Sequence, residues 1–312
     1  MYFKYRTING KRYKYAVSSI RLPNGKVKTL EKIFKNESKS SLQRMFEKKA
    51  VEENVKHALS TFDTDSIFTR EEIEKMERMR LDYKNITRKL TKDILKDVLD
   101  RFTANFTYES NALEGNSLTL KDVSIVMFEN ASVEGKDLRE IYETRNSRKV
   151  VEIIIRGGFD VSHRSIMRMH KLLMKDIDSR FGYKKVPNII FGSRIETSLP
   201  ENVDKDMDKL IKWYKDNKEK MHPVKLAALF HGRFEQIHPF QDGNGRVGRF
   251  LINVILTKHR YPPLIIRKSQ RIAYLKALGD FDIKHTNNLE RLILERFKDT
   301  YRKFFEMYVK YV

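Results

Sequence analysis

The chain has 312 residues, 40% of them hydrophobic, no cysteine and a formal net charge of +21 at pH 7. The length allows one large domain or two ordinary ones, and the hydrophobic content excludes a generally disordered chain. The lack of cysteine excludes disulfide scaffolds, thiolate zinc sites and cysteine nucleophiles. No apolar run approaches the roughly 20 residues that span a bilayer, and the first residues lack the apolar core of a secretory signal. We therefore expect a cytoplasmic protein without a membrane partner.

The positive charge is unevenly distributed along the chain. Residues 1–60 carry 15 basic and 5 acidic side chains, a net charge of +10. Such an excess favours polyanionic partners, namely nucleic acid, an acidic membrane surface or nucleotide phosphates. A basic surface also keeps an ordinary protein in solution. The composition leaves both interpretations open.

The first part of this basic region has the pattern of a small β-sheet. Asn9-Gly10 and Asn24-Gly25 are strong hairpin signals, because both positions of the dipeptide tolerate positive φ. We therefore predict a three-stranded meander with strands at about 2–8, 12–22 and 26–34. A basic sheet rich in tyrosine is a candidate nucleic-acid surface, a docking site for another partner, or a purely structural extension.

From about residue 37 the sequence favours helices. Residues 63–90 have the charge pattern of an exposed helix, and Gly115 is a plausible stop for the helix before it. Thr119 and Asp122 have the spacing of a helix cap. In residues 94–113 an apolar stripe predicts a face towards the core, formed by Ile94, Leu95, Val98, Phe102, Phe106 and Leu113.

One segment interrupts the helical pattern. Residues 183–203 hold two prolines, a glycine and the short β-prone run Ile189–Phe191. This composition predicts a hairpin or extended flap, with helices resuming at about residue 204. The predicted fold class is therefore mainly α, with a basic β-meander appendage and one β-hairpin flap.

The most informative stretch is HPFQDGNGRVGRFLIN, residues 238–253. Apolar residues at steps of three and four predict a buried helix that ends at His238 and another that begins near Gly245. The stripes are formed by Leu226, Leu229, Phe230, Phe234 and Ile237 before the loop, and by Val247, Phe250, Leu251, Val254 and Ile255 after it.

The loop between these helices contains the groups that bind phosphate. Gly243, Asn244 and Gly245 are able to turn successive N–H groups inward as an anion nest, and the following helix directs its positive end to the same place. Arg246 and Arg249 lie three residues apart, so we expect both on one polar face within reach of phosphate oxygens. A Walker A loop is excluded because Lys-Ser/Thr does not follow the glycine.

Two further side chains of the loop suggest chemistry. Asp242 offers one carboxylate, which is enough for Mg²⁺ when nucleotide phosphates and water complete the shell. His238 lies at the loop entrance, where an imidazole can accept a proton from an attacking hydroxyl. Each of these residues alone is more often structural or solvated, and the order of all of them within twelve residues makes the signal specific.

The run HPFQDGNGRVGR closely resembles the signature of Fic domains, H-P-F-x-D/E-G-N-G-R-x-x-R, and matches it at every fixed position. The resemblance extends to KLAALFHGRFEQI before it and HRYPPLIIRKSQRIAYLKAL after it, and covers about residues 63–285. Most members of this family transfer AMP from ATP to a hydroxyl side chain of a target protein. The resemblance therefore implies a Fic-type helical bundle, ATP as substrate and Mg²⁺ as cofactor.

The resemblance also implies a role for each matching residue. His238 is expected to be the general base, Asp242 the Mg²⁺ ligand and Arg249 the ligand of the γ-phosphate. The matching flap, which covers the nucleotide and docks the target protein by strand pairing, is formed by Phe191, Gly192, Ser193 and Arg194. The remaining nucleotide contacts are expected at Gly243, Asn244, Gly245, Arg246, Val247, Gly248 and, near the adenine, Tyr274.

A second motif, SNALEGN at residues 110–116, resembles the inhibitory motif S/T-x-x-x-E-G/N of the family. Ser110 and Glu114 lie at i and i+4, on one face of a helix. The resemblance implies that Glu114 pairs with Arg249 and displaces the γ-phosphate. A carboxylate and a phosphate compete well for one guanidinium.

Alternative functions stay open at this level. The same site serves AMP removal in some relatives, and a nucleic-acid-binding regulator with a Fic-like sensor core would account for the basic region. A homodimer is expected only by analogy. The predicted organisation is a basic extension at 1–60, a helical region with the inhibitory helix at 61–125, a catalytic core at 126–285 and a C-terminal helix at 286–312.

Overall fold

The computed structural model describes residues 1–22, 25–188 and 197–312. The described chain is mainly helical, with a three-stranded antiparallel sheet in the order β1-β2-β3, which confirms the predicted fold class. The strands are β1 (Tyr2–Ile8), β2 (Lys11–Arg21) and β3 (Val27–Ile33). The helices are α1 (Lys39–Thr61), α2 (Arg70–Lys89), α3 (Lys92–Leu113), α4 (Leu120–Ser124), α5 (Leu138–Ile155), α6 (His163–Leu173), α7 (Val203–Asn217), α8 (Pro223–Ile237), α9 (Asn244–Lys258), α10 (Arg271–Asp282) and α11 (Asn287–Phe304).

The chain forms two compact units, Met1–Leu81 and Asp82–Val312. In the first unit Asn9 and Gly10 have φ values of 49° and 74°, which are the left-handed conformations that the β1–β2 turn requires. Helix α1 packs on one face of the sheet. The core between them is formed by Ala16, Leu30, Leu42 and Phe46.

The second unit is built around α8 and α9. Helix α8 packs against α7, α9, α10 and α11, while α5 packs against α3, α6 and α9. The apolar stripes predicted for α8 and α9 are buried in the structure. Because both helices are enclosed by others, the loop between them is held on both sides.

Helix α3 is fixed against α9 by aromatic packing. The rings of Phe106 and Phe250 meet edge to face at 4.8 Å and 85°, and Phe102 stacks on Phe106 at 5.9 Å. The helix ends at Leu113, and Gly115 follows with a φ of 101°, as predicted for a glycine stop. A capping box between Thr119 and Asp122 then begins α4, also as predicted.

Two expectations about burial are wrong. Ile94 was expected in the core, but it is 44% exposed because the first turn of α3 lies at the surface. Helix α2 was expected to be exposed, but Ile73, Met76 and Ile86 are fully buried. Charged residues outnumber apolar ones in α2 and conceal this narrow apolar stripe.

The predicted flap, including Phe191, Gly192, Ser193 and Arg194, lies outside the described residues. None of the helices within the described ranges combines the length and apolarity that crossing a bilayer demands.

Candidate active site

The loop between α8 and α9 takes its shape from its own sequence. His238 ends α8 with φ 49° and ψ 61°, and Gly243 precedes α9 with a φ of 80°. The Asn244 side chain closes the loop, because its Oδ1 accepts from the Phe240 N–H at 2.8 Å and its Nδ2 donates to the Phe240 carbonyl at 2.7 Å. The first N–H groups of α9 are thereby presented at the loop, where an anion binds most readily.

His238 is largely buried, with 19% of its side chain exposed. Burial, together with the positive charge of Lys184, lowers the pKa of His238 to about 4. The imidazole is therefore neutral at pH 7. A neutral ring offers one unprotonated nitrogen, which is the form that a general base needs.

Lys184 holds the backbone around His238. Its N–H donates to the Pro239 carbonyl at 2.8 Å, and its buried Nζ donates to Asn188 Oδ1 and Thr197 Oγ1, each at 2.8 Å. The Asn188 amide in turn donates to the Phe240 carbonyl at 2.9 Å. This cluster stabilises the left-handed conformation of His238, and burial lowers the pKa of Lys184 to about 8.

The two arginines of the loop are buried in the structure. Arg246 and Arg249 are only 2% and 3% exposed. Arg246 Nη1 lies 3.2 Å from Glu143 Oε1, yet its Nε and Nη1 have no hydrogen-bond partner among the described residues. Since buried polar groups are normally hydrogen-bonded, these N–H groups are suited to an anionic ligand.

Arg249 is held by the end of α3. Its Nη2 donates to Glu114 Oε1 at 2.7 Å and to the Ser110 carbonyl at 2.8 Å, and its Nε donates to Ser110 Oγ at 3.1 Å. Desolvation raises the pKa of Glu114, but the charge and hydrogen bond of Arg249 outweigh it and leave that pKa below its usual value.

The Glu114 carboxylate also lies over the first turn of α9. A Cβ atom on Gly245 would collide with the carboxylate oxygen of Glu114, so the carboxylate lies directly against the backbone of this glycine. One carboxylate therefore occupies both the guanidinium of Arg249 and the positive end of a helix, which are the two features that attract a phosphate.

Asp242 is the acidic residue of the loop, and 38% of its side chain is exposed. Its Oδ2 accepts from Arg139 at 2.8 Å, and its Oδ1 accepts from the Gly243 N–H at 2.6 Å. His170 donates from Nε2 to the Asp242 carbonyl at 3.1 Å. Across the described ranges, no group of three or more acidic or histidine side chains is arranged to hold a metal ion alone.

Tyr274, the residue predicted near the adenine, is buried. It is 3% exposed, and its hydroxyl oxygen lies 2.8 Å from His231 Nε2. Its predicted place near the adenine stays a prediction. Val247 and Gly248 are buried in α9, and Gly248 leaves room for the side chains of Glu235 and His231.

Some site residues were not found from the sequence. Lys184, Glu143 and His170 carry no local signal, because each reaches the loop from a distant part of the chain. Glu235 does carry one, since it is an acidic residue three positions before His238 in a helix that is otherwise largely apolar.

Comparison with known proteins shows which family part of the second unit, Asp82–Val312, resembles. Residues 160–256 match the Fic/DOC family. Protein adenylyltransferase Fic of Drosophila melanogaster is 31% identical over 185 residues, covering 57% of this chain and 37% of that protein. The namesake protein of Nematostella vectensis is 30% identical over 177 residues, covering 55% and 42%. The chain thus spans less than half the length of these curated relatives.

Solved structures give the same result. A Fic domain containing signaling protein from Bacteroides thetaiotaomicron superposes with a TM-score of 0.65 at 26% identity, covering 75% of this chain and 95% of that chain. A Fic family protein from Desulfovibrio desulfuricans has a TM-score of 0.60 at 25% identity, covering 73% of each chain. Fic-1 from C. elegans, at 20% identity, shares the fold with a TM-score of 0.65 over 75% of this chain and 70% of that chain. Residues 160–256 thus match the Fic/DOC family, and 73–75% of the chain superposes on these solved Fic structures.

Proposed function

We propose that this protein is an adenylyltransferase that moves AMP from ATP to a Ser, Thr or Tyr hydroxyl of a target protein. The observation that carries the proposal is the loop itself. It brings together the neutral imidazole of His238, the N-terminus of α9 preceded by Gly243, and two buried arginines. The name of the relatives, protein adenylyltransferase, supports the same reaction.

The chemistry follows from the positions of these groups. Backbone N–H groups of residues 243–245 and the unpartnered N–H groups of Arg246 bind the phosphates. His238 takes the proton of the target hydroxyl, whose oxygen attacks the α-phosphorus, and the bond from that phosphorus to pyrophosphate breaks. Positioning and charge stabilisation supply most of the rate enhancement in such phosphoryl transfers.

The residues present fit a magnesium ion that arrives with the nucleotide. Asp242 is accessible and would hold the ion, which supplies positive charge against the phosphates while phosphate and water oxygens fill most of its shell.

We further propose that Glu114 inhibits this site. The support is the pair between Glu114 and Arg249 at 2.7 Å, together with the place of the carboxylate over Gly245. While the pair is intact, Arg249 is not available to the γ-phosphate, so ATP binds without the geometry for transfer.

The test is transfer of label from α-labelled ATP to the protein itself or to a lysate of the source organism. We expect Glu114→Gly to increase labelling about 5- to 150-fold, since the coupling free energy of such competing sites is typically about 1–3 kcal/mol. Glu134→Gly, which changes an exposed glutamate in a turn, is the matched control and should leave labelling unchanged. Unchanged labelling by a folded Glu114→Gly protein that binds ATP would contradict the inhibitory role.

The same variants decide between AMP addition and AMP removal. A target that already carries AMP is incubated with the wild type and with Glu114→Gly. Loss of AMP that requires Glu114 would identify removal as the main activity, whereas loss by neither protein supports transfer.

The β1–β2 hairpin favours a second role in binding nucleic acid. Lys11, Arg12 and Arg21 are exposed and form no ion pair with any described residue. The Arg12 guanidinium lies 4.3 Å from the centre of the Tyr5 ring. Exposed cations beside aromatic rings suit a phosphate backbone and its bases.

A further inference from the structure

A buried carboxyl group lies beside the histidine of the loop. Glu235 is in the last turn of α8, and only 12% of its side chain is exposed. Its Oε2 lies 3.6 Å from His238 Nδ1, and its Oε1 lies 3.9 Å from Nδ1 of the fully buried His231. One carboxyl group therefore faces two imidazole rings.

Glu235 Oε1, His231 Nδ1 and His238 Nδ1 are buried and have no hydrogen-bond partner within the described ranges. A Cβ atom on Gly248 would collide with both Glu235 and His231, so α9 encloses the pair from the other side. Because buried polar groups are rarely left unsatisfied, small rotations that join these atoms are favoured, and such contacts commonly tighten only when substrate binds.

The far nitrogen of His231 is already engaged. Its Nε2 lies 2.8 Å from the Tyr274 hydroxyl oxygen. An Nε2–H tautomer of His231 donates to that oxygen and leaves Nδ1 as an acceptor facing Glu235.

The charges around the group agree with a neutral carboxyl. Burial raises the pKa of Glu235 to about 8, helped by Glu114 and Asp282 and opposed by Arg249. Burial lowers the pKa of His231 to about 3 and that of His238 to about 4. At pH 7 the three groups are thus one protonated acid and two neutral rings.

We propose that Glu235 is a positioning residue, which donates its O–H to His231 Nδ1, accepts the Nδ1–H of His238 and so leaves His238 Nε2 unprotonated. Its link to catalysis rests on the proposed function of His238. When Nε2 takes the proton of the target hydroxyl, the O–H bond of the substrate breaks and an N–H bond forms. Glu235 keeps its hydrogen bond at Nδ1, and no proton passes to it.

The test compares an isostere of the neutral acid with an apolar side chain. Glu235→Gln keeps one donor for His231 and one acceptor for His238, whereas Glu235→Met keeps neither. The tautomer of His238 is read by ¹⁵N NMR on the full chain with labelled histidine. We expect the Nδ1–H form in the wild type and in Glu235→Gln, and a mixture of tautomers in Glu235→Met. The matched control, Gln236→Met, changes the next side chain of the same helix and should keep the Nδ1–H form.

The kinetic arm is carried out in the Glu114→Gly background. We expect kcat to fall about tenfold or more in Glu235→Met, to stay within about threefold in Glu235→Gln, and the KM for ATP to stay unchanged in both. An unchanged tautomer and kcat in Glu235→Met would overturn the proposal. An equal loss in Glu235→Gln would also overturn it, because an ionised carboxylate would then be required.

Two features keep the test decisive. The NMR measurement does not depend on AMP transfer. If the protein transfers no AMP, the proposed function is wrong, but the tautomer of His238 still tests the role of Glu235. If Glu235→Met does not fold, His231→Phe removes the acceptor of the Glu235 O–H and should shift the His238 tautomer in the same way; an unshifted His238 in that variant counts against the proposal.

Discussion

The β1–β2 hairpin and the loop before α9 both carry clustered positive charge, and they treat it in opposite ways. In the hairpin, Arg12 is exposed and lies over a tyrosine ring, and Lys14 lies 4.4 Å from the centre of the Phe3 ring. In the loop, Arg246 and Arg249 are almost fully buried against the carboxylates of other helices. Arg12 of the hairpin is thus exposed to solvent, whereas both arginines of the loop are buried.

The difference is energetic. Exposed charge pairs contribute about 0–1 kcal/mol, because water and salt screen them. A buried guanidinium loses its hydration, and the fold tolerates it only with fixed, hydrogen-bonded partners. We therefore propose the two buried arginines, whose carboxylate partners lie at the end of α3 and in α5, as the specific anion site, whereas the charge of residues 1–60 has no such buried partners.

The largest effect should come from the histidine of the loop. In the Glu114→Gly background, His238→Ala should lower AMP transfer at least about 100-fold, because a general base contributes about that much. Calorimetric binding of Mg-ATP should change less than about threefold. Undiminished transfer by a verified His238→Ala protein would show that another group is the base. The loop, like the hairpin, would then be a candidate for anion binding alone.

A smaller effect compares one arginine from each region. Arg249→Met leaves the Ser110 carbonyl and the partly exposed Glu114 carboxylate without their donor, so the free energy of unfolding should fall by about 2 kcal/mol. Arg12→Met in the hairpin should change it by less than about 0.5 kcal/mol. Urea unfolding measures both, and equal losses would contradict the contrast between enclosed and displayed charge.

The burial of His231 also predicts that the free energy of unfolding depends on pH. His231 has a pKa of about 3 in the folded protein and about 6.5 when unfolded. Between these values the unfolded chain binds a proton that the folded chain does not, so stability falls as the pH falls below about 6.5. The slope approaches about 1.4 kcal/mol per pH unit for this group. Urea unfolding from pH 7 to pH 5 should be less pH-dependent in His231→Asn by about 1 kcal/mol per unit, and an unchanged slope would show that His231 titrates normally.

The smallest effect concerns the hairpin. If Lys11 and Arg12 contact phosphates, alanine at both positions should reduce the dependence of DNA affinity on salt by about one unit of log–log slope for each contact. Fluorescence anisotropy with a labelled duplex measures this, and Lys209→Ala with Lys212→Ala in α7 is the matched control. An identical slope in the hairpin variant would leave its charge without a nucleic-acid partner.

Much of the fold was predictable because its signals are local. The Asn9-Gly10 turn, the Thr119 cap and the stripes on either side of the loop depend on residues close in sequence. The contact between Glu114 and Arg249 joins residues 135 positions apart, and only the resemblance to Fic domains suggested it.

What the sequence did not show depends on packing between distant elements. Lys184 looks like an ordinary surface cation, and only the folded chain brings it to the carbonyls around His238. The burial of Arg246 could not be read from spacing, because a helix face becomes internal only when a carboxylate such as Glu143 is brought to meet it. The prediction that Ile94 is buried was wrong for the opposite reason. An apolar residue in the first turn of a helix is buried only if another element packs against it.

The position of Glu114 at the very end of α3 sets how the proposed inhibition is released. It is the C-cap residue, its N–H donates to the Asn111 carbonyl at 3.0 Å, and Gly115 follows with positive φ. Helix ends fray more readily than helix interiors. The last turn of α3 is buried and Glu114 is exposed, so we expect that only Glu114 has to move to release its carboxylate from Arg249, while the aromatic contacts of Phe102 and Phe106 hold α3 in place. Under the proposed inhibition, activation would then be a local change at the end of α3 and not the movement of a domain.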